Sequence, residues 1–114
     1  MRRGEIRWYT FRQPDKRRPV LILTREEVLD RLNEVIVAPV TRTIRGLATE
    51  VVLGVEDGMP VTSTINFDHI ALAQRSRLGT VICELHDSRW EEVKTALLLA
   101  CGFETEVTST RAAP

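Results

Sequence analysis

The stretch "EVIVAPVT", residues 34–41, is short, almost wholly apolar and rich in β-branched side chains. Such a run is typical of a central β-strand that is covered on both faces. A second run of the same kind, "PVLILT", stands before it at residues 19–24. The residues between the two, "REEVLDRLN" at 25–33, have helical character and are predicted to form one or two turns that end near Asn33. The two apolar runs therefore predict the centre of a sheet.

Further strands are predicted on both sides of this centre. The stretch "EIRWYTF", residues 5–11, alternates polar and apolar side chains, which places Ile6 and Trp8 on one face and directs Trp8 into the core. Strand is expected to dominate the chain as far as residue 78, where Gly79 breaks it. The remaining segments are assigned to a strand at "ATEVVLG" (48–54), a turn at "GVEDGMP" (54–60) and extended structure at "INFDHIALAQRSRLG" (65–79).

In the C-terminal third the apolar residues recur with the period of a helix rather than that of a strand. Ser88 is followed three residues later by Glu91, the spacing of a capping box at a helix start. A helix over residues 89–101 is predicted, with Gly102 as its left-handed C-cap. Its apolar stripe, which we expect to pack against the sheet, consists of Trp90, Val93, Leu97 and Cys101.

These elements predict a mainly β protein with a C-terminal helix, of the α+β class. The chain has 114 residues and a mass of 13.0 kDa, which suits one domain, assigned to residues 1–103. Residues 104–114, "ETEVTSTRAAP", lack a periodic apolar set and are predicted to be a flexible tail.

The sequence favours a cytoplasmic protein. No apolar run approaches the roughly 20 residues of a membrane span, so no membrane association is expected. Glu5 and Arg7 interrupt any signal-peptide core. Cys83 and Cys101 lie in apolar surroundings without metal-ligand spacing, and we expect both to be buried free thiols in a reducing compartment.

Charge is balanced overall but uneven along the chain. The sequence has 16 basic and 16 acidic residues, yet residues 1–25 contain eight Lys or Arg against two acids. A second basic population follows in the middle of the chain: Arg42, Arg45, Arg75 and Arg77. A local basic face is what a phosphate-bearing ligand requires, because its attraction acts within about 8 to 10 Å. The charge count alone favours a solvated surface on which the charges happen to cluster.

Familiar catalytic signatures are absent from the sequence. It has no GxSxG, P-loop, GxGxxG or HExxH motif, and neither His69 nor His86 has a second ligand at metal-binding spacing. The two histidines could form an acid and base pair for RNA cleavage, although structural or solvent-facing roles are commoner for such residues. The remaining reactive groups are Arg with Thr or Ser, in "KRRP" at 16–19 and "PVTRTIRG" at 39–46.

The order and spacing of five short segments resemble the MazF/PemK family of ribonuclease toxins. The segments are "GEIRWYTF" (4–11), "RRPVLIL" (17–23), "VAPVT" (37–41), "TEVVL" (49–53) and "FDHIALAQRSRLG" (67–79), followed by the terminal helix. The resemblance covers residues 3–103. It implies a small SH3-like β-barrel of the CcdB/MazF type and a homodimer.

The resemblance also implies a function. A chain of this kind is the toxin of a type II toxin–antitoxin system and an endoribonuclease that cuts single-stranded RNA at short sequences and inhibits translation. It needs no metal and no cofactor. Its partner is a MazE-like antitoxin whose acidic, disordered tail lies along the RNA groove.

The family's functional residues carry over to particular positions. Its arginine before the proline of "RRPVLIL" corresponds to Arg18, and its Thr or Ser after "VAP" corresponds to Thr41, which we expect to be catalytic. The chain departs from many members because "FRQPDKRRP" (11–19) is short and offers only Asp15 as an acid. The residues expected to bind RNA are Lys16 and Arg17, which can swing on their loop toward flanking phosphates, together with Arg42, Arg75 and Arg77.

The chemistry of RNA cleavage suits this pair of side chains. RNA supplies its own nucleophile, the 2′-hydroxyl, so the protein must align it, neutralise the phosphoryl oxyanion and manage protons. The guanidinium of Arg18 can bind two phosphoryl oxygens and the Thr41 hydroxyl can donate to a third. With a pKa above about 12, Arg18 is a poor general base, and the group that moves the proton stays open.

Two other functions compete with the nuclease. A CcdB-like toxin binds gyrase without cutting RNA, but such toxins end in an apolar or aromatic tail that "CGFETEVTSTRAAP" (101–114) does not supply. A non-catalytic single-strand binder would stack bases on Trp8, Tyr9 and Phe11. Without the family resemblance, Arg18 would be interpreted as an exposed cation and Thr41 as an ordinary hydroxyl at a strand end.

Overall fold

The computed structural model describes residues 1–11 and 17–104. These residues form seven antiparallel strands and one α-helix: β1 (Glu5–Thr10), β2 (Arg17–Ile22), β3 (Glu34–Thr41), β4 (Glu50–Leu53), β5 (Ser63–Asn66), β6 (Ala71–Gln74), β7 (Val81–Glu84) and α1 (Trp90–Ala100). The strands make one curled sheet in the order β4-β5-β3-β2-β1-β7, with β6 added against β3. The predicted class, mainly β with a C-terminal helix, is confirmed.

Strand β3 lies at the centre of this sheet. On one side it pairs with β2, Val20 opposite Pro39. On the other side it changes partner: β6 pairs with its first half, up to Val37, and β5 pairs with Val40 and Thr41. A proline has no N–H to donate, and Pro39 stands at this change of partner rather than within an uninterrupted ladder. The change of partner lets the sheet curl into a half-barrel.

The central strands bury side chains on both faces, as their composition predicts. Along β2, Leu21 joins a cluster with Ile65, Phe67 and the Val93 side chain of α1. Its neighbours Val20 and Ile22 point to the opposite face and join a second cluster. The other buried members of that second cluster are Tyr9, Leu29, Val35, Val37 and Ala73. The helix covers only the first face, and its packing there confirms the expected contact between helix and sheet.

The helix begins in a different way from the capping box that the sequence predicted. The helix starts at Trp90. The residue before it, Arg89, occupies the N-cap position, and its side chain makes no capping hydrogen bond. The Nδ1 atom of His86 instead accepts the Ser88 backbone N–H at 3.1 Å, and a 3₁₀ turn leads into the helix. At the other end Gly102 has a φ of +84°, which confirms the predicted left-handed cap.

The expectation that both thiols are buried is wrong. Cys101 follows the last helical residue and is exposed, whereas Cys83 is half-buried. The helix is oriented so that Val93 and Ala96 are its buried residues. The helix ends before Cys101, so this residue lies outside the stripe that packs on the sheet.

Residues 25–33 form one 3₁₀ turn, Glu26–Val28, the lower number of the one or two turns that the sequence predicted. The last of the predicted extended segments is more broken than the sequence indicated. The stretch 65–79 contains β6 between the 3₁₀ turns Phe67–His69 and Arg75–Arg77. Strand β7 was not predicted, because its four residues carry too short a pattern to stand out. Edge pairing with β1 stabilises it instead.

No helix within residues 1–11 and 17–104 is long and apolar enough to cross a membrane. The predicted tail, residues 104–114, lies outside the described part of the chain except for Glu104.

Arg89 links the start of α1 to the end of β4 and the turn after it. Its guanidinium donates to Asp57 Oδ1 at 2.7 Å, to Glu92 Oε1 at 2.6 Å and to the Val52 carbonyl at 2.6 Å. The second oxygen of Asp57 accepts the Gly54 N–H at 2.8 Å. Burial alone would raise the pKa of Asp57, but the Gly54 N–H and Arg89 together hold this pKa below its usual value.

We expect Arg89→Ala to lower the free energy of unfolding by about 2–3 kcal/mol, because it removes the ion-pair partner of the Asp57 carboxylate. Urea unfolding followed by circular dichroism measures this loss. The matched control is Arg2→Ala, which removes an exposed ion pair to Glu84 at 3.7 Å and should cost under about 0.5 kcal/mol. Equal losses in the two variants would contradict the prediction.

The stabilisation from Asp57 should disappear in acid. Its pKa is lower in the folded state than the roughly 3.9 of an unfolded chain, so its contribution is complete above about pH 5 and is lost as pH falls through the folded value. Urea midpoints of the wild type and Asp57→Asn should differ by a constant amount from pH 5 to 7 and converge below about pH 4. A difference that grows in acid would show that the carboxylate is not the stabilising form.

Candidate active site

An open groove of about 360 Å³ lies where β2 begins and β3 ends. One wall is cationic and the other is apolar. The residues that line it are Trp8, Arg17, Arg18, Pro19, Val40, Thr41, Arg42, Met59, Pro60, Val61, Ser63 and Ile82. Among the described residues, three arginines and no acidic side chain line this groove.

Strand pairing brings Arg18 and Thr41 together. Val20 pairs with Pro39, and the same antiparallel register continued by two residues places Arg18 opposite Thr41. On its other side Arg18 pairs with Tyr9 of β1. At Arg18 the strand β2 is paired with β1, and its pairing with β3 begins two residues later at Val20, so the backbone that carries Arg18 is held by the sheet. Both side chains are half-buried at the groove. The two residues predicted to be catalytic therefore share one site.

The Thr41 hydroxyl is oriented by a backbone N–H two residues further along the chain. Its Oγ1 accepts the N–H of Thr43 at 3.2 Å. A hydroxyl has one proton to donate and two lone pairs. With one lone pair directed at the backbone, the O–H of Thr41 stays available to donate to an anionic oxygen in the groove.

Arg17 and Trp8 form a stack at the edge of the groove. The guanidinium carbon of Arg17 lies 4.4 Å from the centroid of the Trp8 ring, a cation–π contact. Arg17 is thus the first residue of β2 and rests on an aromatic face, whereas the sequence suggested that it swings on a loop. Trp8 is half-buried and lines the groove, so its predicted place in the core is wrong. The alternation of β1 buries Ile6, but Trp8 lies farther along the strand, where the groove opens.

Gly79 allows the close approach that sets the position of Trp8. Its N–H donates to the Trp8 carbonyl at 2.7 Å. A Cβ atom at Gly79 would lie 3.2 Å from that oxygen and 3.3 Å from the Trp8 Cβ. The glycine that the sequence identified as a break therefore packs against the back of the groove.

The opposite wall of the groove is apolar and chemically inert. Met59 is buried, and its sulfur lies 3.7 Å from the Cys83 thiol behind it. Burial and the nearby Asp57 charge raise the pKa of Cys83, so this thiol stays protonated at neutral pH and is a poor nucleophile. A wall of Met59, Pro60, Val61 and Ile82 suits the flat faces of bases or sugars rather than a reaction step.

The remaining predicted RNA-binding residues occupy different places. Arg42 follows Thr41 and lines the groove. Arg75 and Arg77 follow β6 beyond Gln74, which pairs with Glu34 at the start of β3, about 23 Å of strand from Thr41. Arg75 donates to the Leu32 carbonyl at 2.8 Å there, and Arg77 is exposed. Neither lines the groove, so their contact with RNA stays a prediction. Lys16 lies outside the described residues.

The two histidines do not meet at the groove. His69 is exposed and its Nδ1 lies 3.2 Å from the Asn66 amide nitrogen. His86 is exposed and its Nδ1 contacts the Ser88 hydroxyl at 2.9 Å. Within residues 1–11 and 17–104, no group of three potential metal ligands occurs. The groove therefore offers arginine and hydroxyl donors as its polar chemistry.

Part of the site has no signal in the sequence. Met59 and Pro60 lie in the segment predicted only as a turn, Val61 and Ser63 come just after it, and Ile82 belongs to the unpredicted β7. They reach the groove through the pairing of β5 with β3 and of β7 with β1. Long-range pairing of this kind leaves no local pattern.

Comparison with known proteins gives consistent results. Residues 2–101 match the family described as PemK-like, MazF-like toxin of type II toxin-antitoxin system. The probable endoribonuclease MazF2 of Mycobacterium tuberculosis is 40% identical over 103 residues, which cover 90% of this chain and 99% of that protein.

Solved structures have the same fold. The Mycobacterium tuberculosis toxin MazF-mt6 superposes with a TM-score of 0.81 at 37% identity, over 89% of this chain and 99% of the other. An endoribonuclease in complex with its cognate antitoxin, from a mycobacterial species, has a TM-score of 0.82 at 24% identity, over 92% and 98% of the two chains, and shares the fold. The family match over residues 2–101 contains every described residue that lines the groove.

Proposed function

Because this chain belongs to the PemK-like, MazF-like toxin family of type II toxin–antitoxin systems, we propose that it is an endoribonuclease that cuts single-stranded RNA in the groove. The observation that carries the proposal is the meeting of Arg18 and Thr41 in a groove lined by three arginines and no described acid. Such a groove attracts the phosphate backbone and presents donors to a phosphoryl group. The name of the 40%-identical relative, a probable endoribonuclease, supports the same activity.

The proposed reaction is an attack of the RNA's own 2′-hydroxyl on the adjacent phosphorus. The 2′-oxygen–phosphorus bond forms and the bond to the 5′-oxygen breaks, while the 2′-hydroxyl loses its proton and the 5′-oxygen gains one. Arg18 binds two phosphoryl oxygens and stabilises the charge that develops on them, and Thr41 donates a further hydrogen bond. The products are a 2′,3′-cyclic phosphate and a 5′-hydroxyl. The step draws its nucleophile from the substrate and calls for no metal or cofactor.

The arrangement of the groove favours single strands. Arg17 and Arg42 stand beside Arg18 and Thr41 and are suited to the flanking phosphates. The apolar wall of Met59, Pro60 and Val61 can contact bases only when they are unpaired and turned out of a helix. Lys16, Arg75 and Arg77 are proposed as contacts to more distant parts of the RNA, which would follow the outer surface of the protein.

A non-catalytic single-strand binder is the strongest competing function. Trp8 lines the groove, so an aromatic face does lie beside the cations. A binder of this kind gives no reason for the oriented Thr41 hydroxyl opposite Arg18. A CcdB-like gyrase binder gives no reason for either feature.

We further propose that the protein acts as a cytoplasmic homodimer regulated by a MazE-like antitoxin. The family description, a toxin of a type II toxin–antitoxin system, supports such a partner. An acidic, disordered antitoxin tail would be attracted to the groove arginines and would compete there with RNA. Cutting RNA would inhibit translation until the antitoxin binds. The two free cysteines suit a reducing compartment.

We expect the purified protein to cut single-stranded RNA in excess EDTA. Replacing the nucleotide before the cut by its 2′-deoxy form should block that cut, because the nucleophile is removed. The 5′ fragment should resist alkaline phosphatase until acid opens its cyclic phosphate, and the 3′ fragment should accept phosphate from polynucleotide kinase. Binding without cutting would favour the single-strand binder, and 5′-phosphate ends would indicate attack by water.

Arg18→Ala should reduce the rate of cleavage by about 10²- to 10³-fold, the effect of losing one preorganised transition-state donor. Arg18→Lys should not restore the rate, because an ammonium cannot bind two phosphoryl oxygens at once. Single-turnover cleavage of an end-labelled RNA measures both, and the melting temperatures should stay close to that of the wild type. The control is Arg31→Ala, an exposed arginine that does not line the groove. Near-normal cleavage by Arg18→Ala would refute the assignment.

A further inference from the structure

The loop formed by residues 42–48 joins the groove to β4 and is held at both ends by side chains. At its start, Thr41 Oγ1 accepts the Thr43 N–H at 3.2 Å. At its end, Glu50 Oε1 accepts three backbone N–H groups, those of Arg45 at 3.1 Å, Gly46 at 3.0 Å and Leu47 at 3.4 Å. One carboxylate oxygen thus fixes three successive residues of the loop.

Gly46 allows the three N–H groups to converge on Glu50 Oε1. Its φ is +74°, in the left-handed region, and a residue in that conformation lets successive N–H groups point to one anion. The Glu50 N–H also donates to the Leu47 carbonyl at 3.1 Å, which closes the turn. The side chain and the backbone of Glu50 therefore hold the same few residues.

The loop has little else to hold it. All residues from 42 to 48 are exposed, including Ile44 at 42% and Leu47 at 48%. Apolar burial therefore contributes little to its conformation, and an exposed segment without such contacts gains entropy by moving. The hydrogen bonds that Glu50 Oε1 accepts from the loop are the main restraint among the described residues.

The second carboxylate oxygen of Glu50 indicates that this residue has a role other than closing the turn. Oε2 is buried and has no hydrogen-bond partner among the described residues. An unpaired buried carboxylate oxygen is unfavourable, and such groups call for an explanation other than stability. Glu50 starts β4, so its backbone is tied to the sheet by pairing with Asn66, and this makes it a rigid anchor for the loop.

We propose that Glu50 is a positioning residue for RNA binding, acting through the 42–48 loop to hold Arg42 at the groove. A cation that is already in place binds a phosphate without the entropic cost of ordering an exposed loop. Glu50 sets the affinity for RNA, whereas Arg18 and Thr41 set the rate of cleavage. The proposal rests on the proposed function, since it assumes that the groove binds RNA.

A double-mutant cycle tests the proposal. The variants are Glu50→Ala, Arg42→Ala and the double variant, and the measurements are the Kd of a 2′-deoxy-blocked oligonucleotide and the single-turnover rate at saturating RNA. Each single variant should weaken binding by about tenfold, the loss of one charge-assisted contact, with a cleavage rate within about threefold of the wild type. The double variant should bind no more than about twofold worse than either single variant, because Glu50 acts through Arg42.

Two further measurements separate positioning from a purely structural role. Glu50→Gln should restore most of the affinity, because an amide oxygen still accepts the loop N–H groups. If Glu50→Ala does not fold, Glu50→Gln takes its place in the double-mutant cycle. Glu50→Ala should lower the slope of log affinity against log salt by about one, as Arg42→Ala does. The control is Glu26→Ala, which removes a carboxylate bonded to the Arg3 N–H at 3.0 Å beyond the other end of β2 and should leave RNA affinity unchanged.

The proposal is overturned if Glu50→Ala lowers only the melting temperature, or if Arg42→Ala keeps its full effect in the Glu50→Ala background. Failure of the proposed function looks different, because the wild type then leaves RNA intact in EDTA. The binding cycle can be measured in either case, so the two failures are distinguishable.

Discussion

The pairing of β3 with three other strands constrains the rest of the molecule. β2 occupies one side of β3 along its middle, and β6 and β5 share the other side, exchanging near Pro39. This exchange curls the sheet, gives it two buried faces and leaves the end of β3 at an opening. Thr41 stands at that opening because it is the last residue of the strand. Neither the groove nor the loop beyond it could exist if β3 kept one partner along its whole length.

Rigid pairing also explains how the groove can concentrate like charges. Arg17, Arg18 and Arg42 lie close together without a described acid among them, which is electrostatically unfavourable in the free protein. Arg18 is held by the pairing of β2 with β1, Arg17 rests on Trp8, and Arg42 belongs to the loop bonded to Glu50. Each cation is thus restrained by a different structure. A phosphate chain would relieve this repulsion.

The ion pairs of Arg89 involve none of the residues that line the groove. The ion pairs of Arg89 tie the helix to β4 and to the turn at Asp57, on the side of the sheet that α1 covers. Asp57 and Glu92 are paired with Arg89, whereas the groove arginines have no described acidic partner. The sequence as a whole is neutral, yet the fold gathers three arginines at one groove without a described acid beside them. A protein without net charge can in this way present a local positive potential.

The sequence by itself determined the strands with long apolar or alternating patterns, such as residues 34–41, and the helix with its cap at Gly102, because these depend on local periodicity and backbone freedom. Through motif order it also predicted that Arg18 and Thr41 belong to one site, and both line the groove. Only the tertiary structure decided that Trp8 lines the groove beneath Arg17, that Met59 and Ile82 form the opposite wall, and that Arg75 lies at the far end of β3. Those facts depend on which strands pair across long separations in the chain. Side-chain alternation tells which residues share a face, but only the register between strands tells which of them meet.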